Sequence, residues 1–578
     1  MNRILTADTV ITMDPDLPRA EAVAVADGKI VAVGSLDLCT QALPDAEVVD
    51  TGAAALLPGF VESHSHPVLS GATMMPPAYW VAPWFAPKWD DVVAVFERAL
   101  AETPEGTPLA FFGFDGLLQE RPEPDAAVLD AIFGDRMVAL VGNSGHTAYV
   151  TSAVLTHLGW DVNPPADPPN ASFDRHPDGT LTGRALEVGA MMAFVEPVLE
   201  GVQKSGHPLQ GPVEFYALMA AAGITSSSEH TYKAELRAPY EAIAKIPGCP
   251  LRIRLYHMST ESDANDPFDS DVPEDMLRKV GIKLWADGSP WVGNIAMSAP
   301  YLDTHVTEAA GITPGATGES AMNYTRQQLD ELLDRYVAAG WQMAFHVNGD
   351  VGVDIVLDAF SRALTVHGLL GTDHRWRVEH IGGARADQFP RMASLGVVPS
   401  MGPFQFYRWG DLLDGGMFEP AIGSQWTRTR DAFNAGLKVC YHNDGSVTPP
   451  TPLLNMQATI TRRTPSGALH GPEQAVTVHE ALQAETINAA YALRSEHEVG
   501  SIEVGKLADF VLLGADPYAV APDTIGSIEV KGTWLGGEPI DLDAFLAMSR
   551  QVDDSALREL HKLGVPVCCA SHPAGAGA

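Results

Sequence analysis

The sequence predicts an α/β protein: a (β/α)8 TIM barrel with a small β-sandwich built from both chain ends and a large insertion after the first barrel strand. Three observations lead there. Short alternating β-like runs occur at both ends of the chain. Between them, helical and strand patterns alternate over about 400 residues, as parallel α/β folds require. Histidines stand where apolar strand runs stop, and that end of a barrel strand is where barrel enzymes work.

The first element is the terminal domain, expected over 1–57 and 490–540. "RILTADTVITM" and "AVAVADGKIVAVG" alternate like strands, and Asp27-Gly28 is a hairpin signal. The same texture returns in "GSIEVGKLADFVLLGADP" and "IGSIEVKGTWLGGEPI". The barrel is expected over 58–489, its first strand running through "LLPGFVESHSHP". Residues 67–215 break the rhythm with stretches rich in Pro and aromatics, such as "PPAYWVAPWFAPKW", and read as an insertion.

The clearest repeating unit follows later. Thr325 and Gln328 form a capping box. Leu329, Leu332, Leu333, Tyr336 and Val337 share a helical face, Gly340 stops the helix, and "QMAFHV" is the next strand. "RADQFPRMASLGVVPSM" repeats the design, with Gly396 as the stop. Residues 541–578 read as an extension, helical at first and frayed at "PAGAGA".

Composition narrows the function class. The chain is 46% hydrophobic and 19% charged, so it is globular. Its net charge of -36 argues against nucleic acid and anionic membranes, which favour basic patches. No apolar run is long enough for a membrane span, and no signal-peptide pattern opens the sequence. Five cysteines, Cys39, Cys249, Cys440, Cys568 and Cys569, include no CxxC pair and suit a reducing compartment. The expectation is a cytoplasmic protein whose partners are a small-molecule substrate and, at most, a second copy in a homodimer.

Several residues carry chemistry. His64 and His66 are two apart, so on a strand both point to one face. His346 in "MAFHVNGD" and His380 in "RVEHIGG" end two strands 34 residues apart, close to one βα unit. Asp444 in "KVCYHNDGSV" follows a short strand 64 residues further on, although Asn-Asp-Gly is also ordinary turn chemistry. Lys283 sits inside the apolar run "GIKLWADGSP", where a charge is costly unless it is paired. A pairing with Asp287 is the plain structural alternative. His146 in "GNSGHTAYV", His257 in "RIRLYHMST", Glu187 in "TGRALEVGA", Trp285 and His230 are further candidates for facing substrate.

Taken in order, "PGFVESHSHP", "GIKLWADGS", "FHVNGDVGVDIVLDAF", "RVEHIGGARADQFPRMASLGV" and "HNDGSVTPPTPLLNMQATITRRTPSG" resemble the amidohydrolase superfamily. They are similar to its YtcJ-like branch, which includes N-substituted formamide deformylases. The resemblance covers nearly the whole chain before about 541. It implies a divalent metal centre, two Zn2+ ions per chain, held by His64, His66, His346, His380 and Asp444 and bridged by Lys283 carboxylated with CO2. It also implies hydrolysis of an amide-type C–N bond by a metal-activated water, with Asp444 as the proton shuttle. "HNDGSV" departs from the branch's more common Ser-Asp-Trp-Pro, so the resemblance does not carry a relative's substrate preference over to this chain. Two alternatives stay open: a mononuclear deaminase on the same scaffold, and a metal-free Ser/Lys amidase using Ser226, Ser227 or Ser228.

Overall fold

A computed structural model describes residues 2–121, 124–168, 171–204, 206–552 and Leu557. Cys568, Cys569 and the "PAGAGA" end lie outside the described residues.

Eight parallel strands form the central sheet. In chain order they are Phe60–Val61, Ile224–Tyr232, Arg252–Met258, Leu277–Trp285, Gln342–Val347, Arg377–His380, Val398–Met401 and Cys440–Tyr441. Each pairs with the next along the chain, the order a (β/α)8 barrel demands. The first and last strands are short, and their seam closes through loops and side chains. The Asp444 amide donates to the His64 carbonyl (3.1 Å) and the His66 amide to the Gly445 carbonyl (3.0 Å). The Ser63 hydroxyl donates to the Tyr441 carbonyl at 2.8 Å. The Glu62 carboxylate accepts the Asn443 amide at 3.0 and 3.1 Å. Seam closure and site assembly are therefore one set of contacts.

The intervening elements follow the sequence pattern. Thr325 caps the helix Arg326–Val337, its hydroxyl accepting from the Gln328 amide, and Gln328 returns the bond in a capping box. Leu329, Leu333, Tyr336 and Val337 are buried and Leu332 is half-buried, so the apolar stripe faces the strands. Gln342–Val347 follows as a fully buried strand. Gly396 ends the helix Gln388–Leu395 in a left-handed conformation (φ 74°), as a C-cap glycine should.

Strands from the two chain ends share one eight-stranded sheet. Ala55–Pro58 pairs with Phe510–Leu513 antiparallel, which joins the N-terminal strands to the C-terminal ones. Arg19–Ala26 and Lys29–Gly34 form the hairpin, with positive φ at both Asp27 and Gly28. The sheet curls over its own apolar residues, including Leu5, Val23, Val25, Leu56, Phe510 and Trp534.

The insertion is more ordered than its composition suggested. It holds a second sheet of six strands, running from Tyr79–Trp80 to Leu181–Leu186, with the helix Val188–Gln203 against it. The insertion docks on the barrel: the Trp84 ring of its Pro-rich aromatic loop meets Phe404 edge-on at 5.3 Å, and Asp115, after the strand Leu109–Phe114, accepts the indole N–H of Trp409 at 3.0 Å. The described part of the C-terminal extension includes the helix Leu542–Ser549, whose Phe545 is buried in the main core. Cys39, Cys249 and Cys440 are buried free thiols. Among the described residues, no helix is long and apolar enough to cross a membrane.

Candidate metal centre

The histidines converge at the C-terminal ends of the barrel strands. Pairing across the sheet aligns Trp285 with His346, His346 with Glu379, Glu379 with Ser400, and Ser400 with Cys440. Lys283 sits two residues before Trp285 on the same strand and is fully buried. Around this level stand His64, His66, His230, His380, His442 and Asp444, all buried.

His64 and His66 present matched geometry. His64 Nδ1 is 2.9 Å from Glu379 Oε2, and His66 Nδ1 is 3.0 Å from Glu229 Oε1. A carboxylate at Nδ1 favours the tautomer protonated there, which leaves an Nε2 lone pair for a cation. Both Nε2 atoms approach Asp444 Oδ1, at 3.6 Å from His64 and 3.2 Å from His66. Neither Asp444 carboxylate oxygen has an aligned hydrogen bond, although both are buried. Lys283 Nζ lies 3.2 Å from His64 Nε2 and 5.6 Å from the centre of the Trp285 ring.

The carboxylates behind the ring are themselves held. Arg377 grips Glu379 with two bonds, Nε to Oε1 at 2.7 Å and Nη2 to Oε2 at 2.9 Å. Glu229 accepts from the Thr231 amide and hydroxyl, both at 2.7 Å, and from the Tyr240 hydroxyl. His346 Nε2 lies 2.9 Å from the Gly288 carbonyl, so that nitrogen carries the proton and Nδ1 keeps the lone pair; the His346 and His380 rings are 4.5 Å apart. The Asp287 carboxylate accepts three backbone amides, from Asn348, Gly349 and Ala296. Its work is to hold the turns around His346, rather than the lysine-pairing role the sequence allowed.

Electrostatics favours ligation. Burial, followed by neighbouring cationic groups, holds His64, His230 and His380 well below the usual imidazole range. Burial takes His442 down to about 3. Neutral rings keep the lone pairs that bind metals. Burial pushes the Asp444 carboxyl up, but the contact with His66 and the other basic side chains around it outweigh burial and leave the group below its ordinary value. Four neutral imidazoles and a carboxylate in one buried pocket suit zinc or a similar borderline cation. Groups of donor atoms within 4.8 Å of one another are formed by His64, His66 and Asp444, by His64, His380 and His442, and by His64, His230 and Glu379.

The other candidates divide. His230 is central: its ring stacks on His64 at 3.9 Å and on Tyr256 at 4.1 Å. Trp285 flanks Lys283. His146 and Glu187 pair with each other, Nδ1 to Oε2 at 2.9 Å, inside the insertion. Their turn is tied to the loop after the last strand by Asn143 Nδ2 donating to the Val447 carbonyl at 3.2 Å. His257 does not join the cluster. Its Nε2 is 3.2 Å from Asp263 Oδ1 and its ring packs edge-on against Tyr232. Its strand neighbours Ile253 and Leu255 belong to the core that also contains the barrel helices' apolar residues, which corrects the expectation that a strand-end histidine there points inward. His442, Glu379, Glu229 and Arg377 were not among the sequence candidates. His442 alone carried a signal, standing two residues before Asp444.

Residues 47–541 match the amidohydrolase family. The chain belongs to that family. It is a hydrolase acting on carbon–nitrogen bonds. Among this amidohydrolase's relatives, the N-substituted formamide deformylase of Arthrobacter pascens is 27% identical over 91% of this chain and 96% of its own length. The putative amidohydrolase YtcJ of Bacillus subtilis is 23% identical over 93% and 99%. Among solved structures, an uncharacterized metal-dependent hydrolase from Pyrococcus horikoshii OT3 superposes with a TM-score of 0.67 at 21% identity, covering 90% of this chain and 99% of that one. A counterpart from Pyrococcus furiosus gives 0.64, also at 21% identity, over 90% and 100%.

Proposed function

We propose that this amidohydrolase is a binuclear metal enzyme that cleaves the C–N bond of an N-formyl, N-acyl or related amide. One observation carries the reading: two imidazoles, each braced by a carboxylate at Nδ1, aim Nε2 at the same oxygen of a buried aspartate. His64, His66 and Asp444 would hold one divalent ion, His346 and His380 the other, and carboxylated Lys283 would bridge them. Zinc fits this donor set. Bound ions would polarise the substrate carbonyl and lower the pKa of a water.

The rest of the work falls to the protein. Asp444, ionised at neutral pH, takes a proton from the attacking water and delivers it to the departing nitrogen. Glu379 and Glu229 hold His64 and His66 in one tautomer. Lys283 lies among apolar residues of its strand, and only a neutral amine adds CO2 to become an anionic carbamate. The similarity to an N-substituted formamide deformylase supports an amide substrate.

The test is a screen of the metal-loaded enzyme against N-formyl, N-acyl, carbamate and cyclic-amide compounds. Hydrolysis of one of these classes is expected: an amine with a carboxylic acid from an N-formyl or N-acyl compound, an amine with CO2 and an alcohol from a carbamate, or a ring-opened amino acid from a cyclic amide. Inertness toward all four, with ammonia released from a heterocyclic amidine, would replace this reading with a deaminase.

A further inference from the structure

A chain of hydrogen bonds runs under the site and ends on His380. The Ser63 hydroxyl lies 2.8 Å from the Tyr441 carbonyl and 3.1 Å from Ser400 Oγ. Ser400 Oγ lies 2.8 Å from His442 Nδ1, and His442 Nε2 lies 3.1 Å from His380 Nδ1. All five residues are buried.

The chain has a direction. A carbonyl can only accept, so Ser63 spends its proton on Tyr441. For every contact in the chain to be a hydrogen bond, Ser63 Oγ accepts from Ser400, which uses that hydroxyl's single proton. The contact between Ser400 and His442 is left to the Nδ1–H of His442. A neutral His442 then has a bare Nε2, so the proton between the two rings belongs to His380 Nδ1. A neutral His380 protonated at Nδ1 has its lone pair on Nε2. One backbone carbonyl thus sets the tautomer of a histidine four groups away.

We propose that His442 is a positioning residue that fixes His380 as an Nε2 metal ligand by accepting the hydrogen bond from its Nδ1. The inference rests on the reading of His380 as a ligand. It assigns a role to a residue next to the last-strand turn, where "HNDGSV" departs from the common pattern of the branch. The fold makes room for it: a Cβ added at Gly402 would stand 3.1 Å from His442 Nε2. His380 itself has a positive φ of 71°, a bend that takes it off the regular strand path.

The test compares Zn2+ affinity, by chelator competition, and the Co2+ absorption spectrum across four variants of the full chain. His442→Ala should weaken one of the two metal equivalents about 10–100-fold, the usual effect of removing a ligand's hydrogen-bond partner. His442→Gln, whose amide oxygen can accept the same bond, should restore affinity to within several-fold of the parent. Ser400→Ala should weaken the same equivalent less than His442→Ala does. His380→Ala should lose that equivalent outright. Parent-like affinity in His442→Ala, with His380→Ala deficient, would overturn the positioning role alone. Loss of an equivalent in His442→Gln as complete as in His380→Ala would overturn it in favour of direct ligation by His442. Retention of both equivalents in His380→Ala would overturn the ligand reading itself.

Discussion

His66 Nε2 lies 3.2 Å from Asp444 Oδ1, joining the loops that leave the first and last barrel strands. The same two loops exchange backbone bonds between Asp444 and His64 and between His66 and Gly445. The barrel seam and the candidate metal centre therefore stand or fall together. A cation between these groups would also tie the shortest strands of the barrel.

Lys283→Ala should abolish turnover and reduce bound metal from about two ions to about one, because it removes the proposed bridging ligand. Metal analysis of the purified variant beside the parent checks this. Full loading with full activity would remove the carbamate from the account.

Asp444→Asn should lower kcat by about 10²–10⁴, the range for a lost proton-transfer group. The amide keeps an oxygen where Oδ1 stands, so metal content should fall much less than kcat. Steady-state kinetics and metal analysis on the same sample separate the two effects. Normal turnover would reject the shuttle.

Glu379→Gln should destabilise the protein by about 3–5 kcal/mol, because Arg377 is buried and would lose its paired carboxylate. Denaturant unfolding measures it. A change below about 1 kcal/mol would mean Arg377 finds another partner, since breaking a buried pair should cost more.

A pH effect follows from Glu480, which caps the helix Val478–Glu485 and takes two bonds from Arg430, each 2.7 Å. Burial opposes ionisation there, but Arg430 and the Thr477 amide and hydroxyl win and bring the carboxyl down to about 2. A group depressed in the folded state stabilises above its unfolded value and loses that contribution as pH falls through the folded one. Because the pair is partly exposed, about 1 kcal/mol is expected. Glu480→Gln should therefore be less stable than the parent at pH 7, and the gap should close between about pH 4.5 and pH 2. A gap unchanged at pH 2 would show that lost packing, not charge, is responsible.

Much of the fold was legible in the chain because its signals are local. The Thr325–Gln328 box, the Gly340 and Gly396 stops and the Asp27-Gly28 hairpin each act within a few residues. The positions of His64, His66, His346, His380 and Asp444 were legible too, since strand ends are marked by where apolar runs stop, and Lys283 stood out as a charge inside such a run. The groups behind them were not. Glu379 precedes His380, and simple alternation would put the two on opposite faces; the positive φ at His380 bends the chain so that both serve the site. Glu229 meets His66 only because the first two barrel strands pair, and Tyr240 then braces Glu229 from the following helix. His257 ends an apolar strand as the ligands do, yet packs with Tyr232 and Asp263. The insertion's sheet was hidden because "PPAYWVAPWFAPKW" reads as loop while its aromatic residues anchor it to the barrel helix Pro403–Leu413.

The central claim is that this buried cluster binds the metal on which catalysis depends. The most direct measurement is to strip the enzyme with a chelator and titrate Zn2+ back while following amide hydrolysis on a substrate found in the screen. The account predicts no activity in the stripped protein and recovery that is complete near two equivalents per chain. Full activity in protein shown to be free of metal would contradict it.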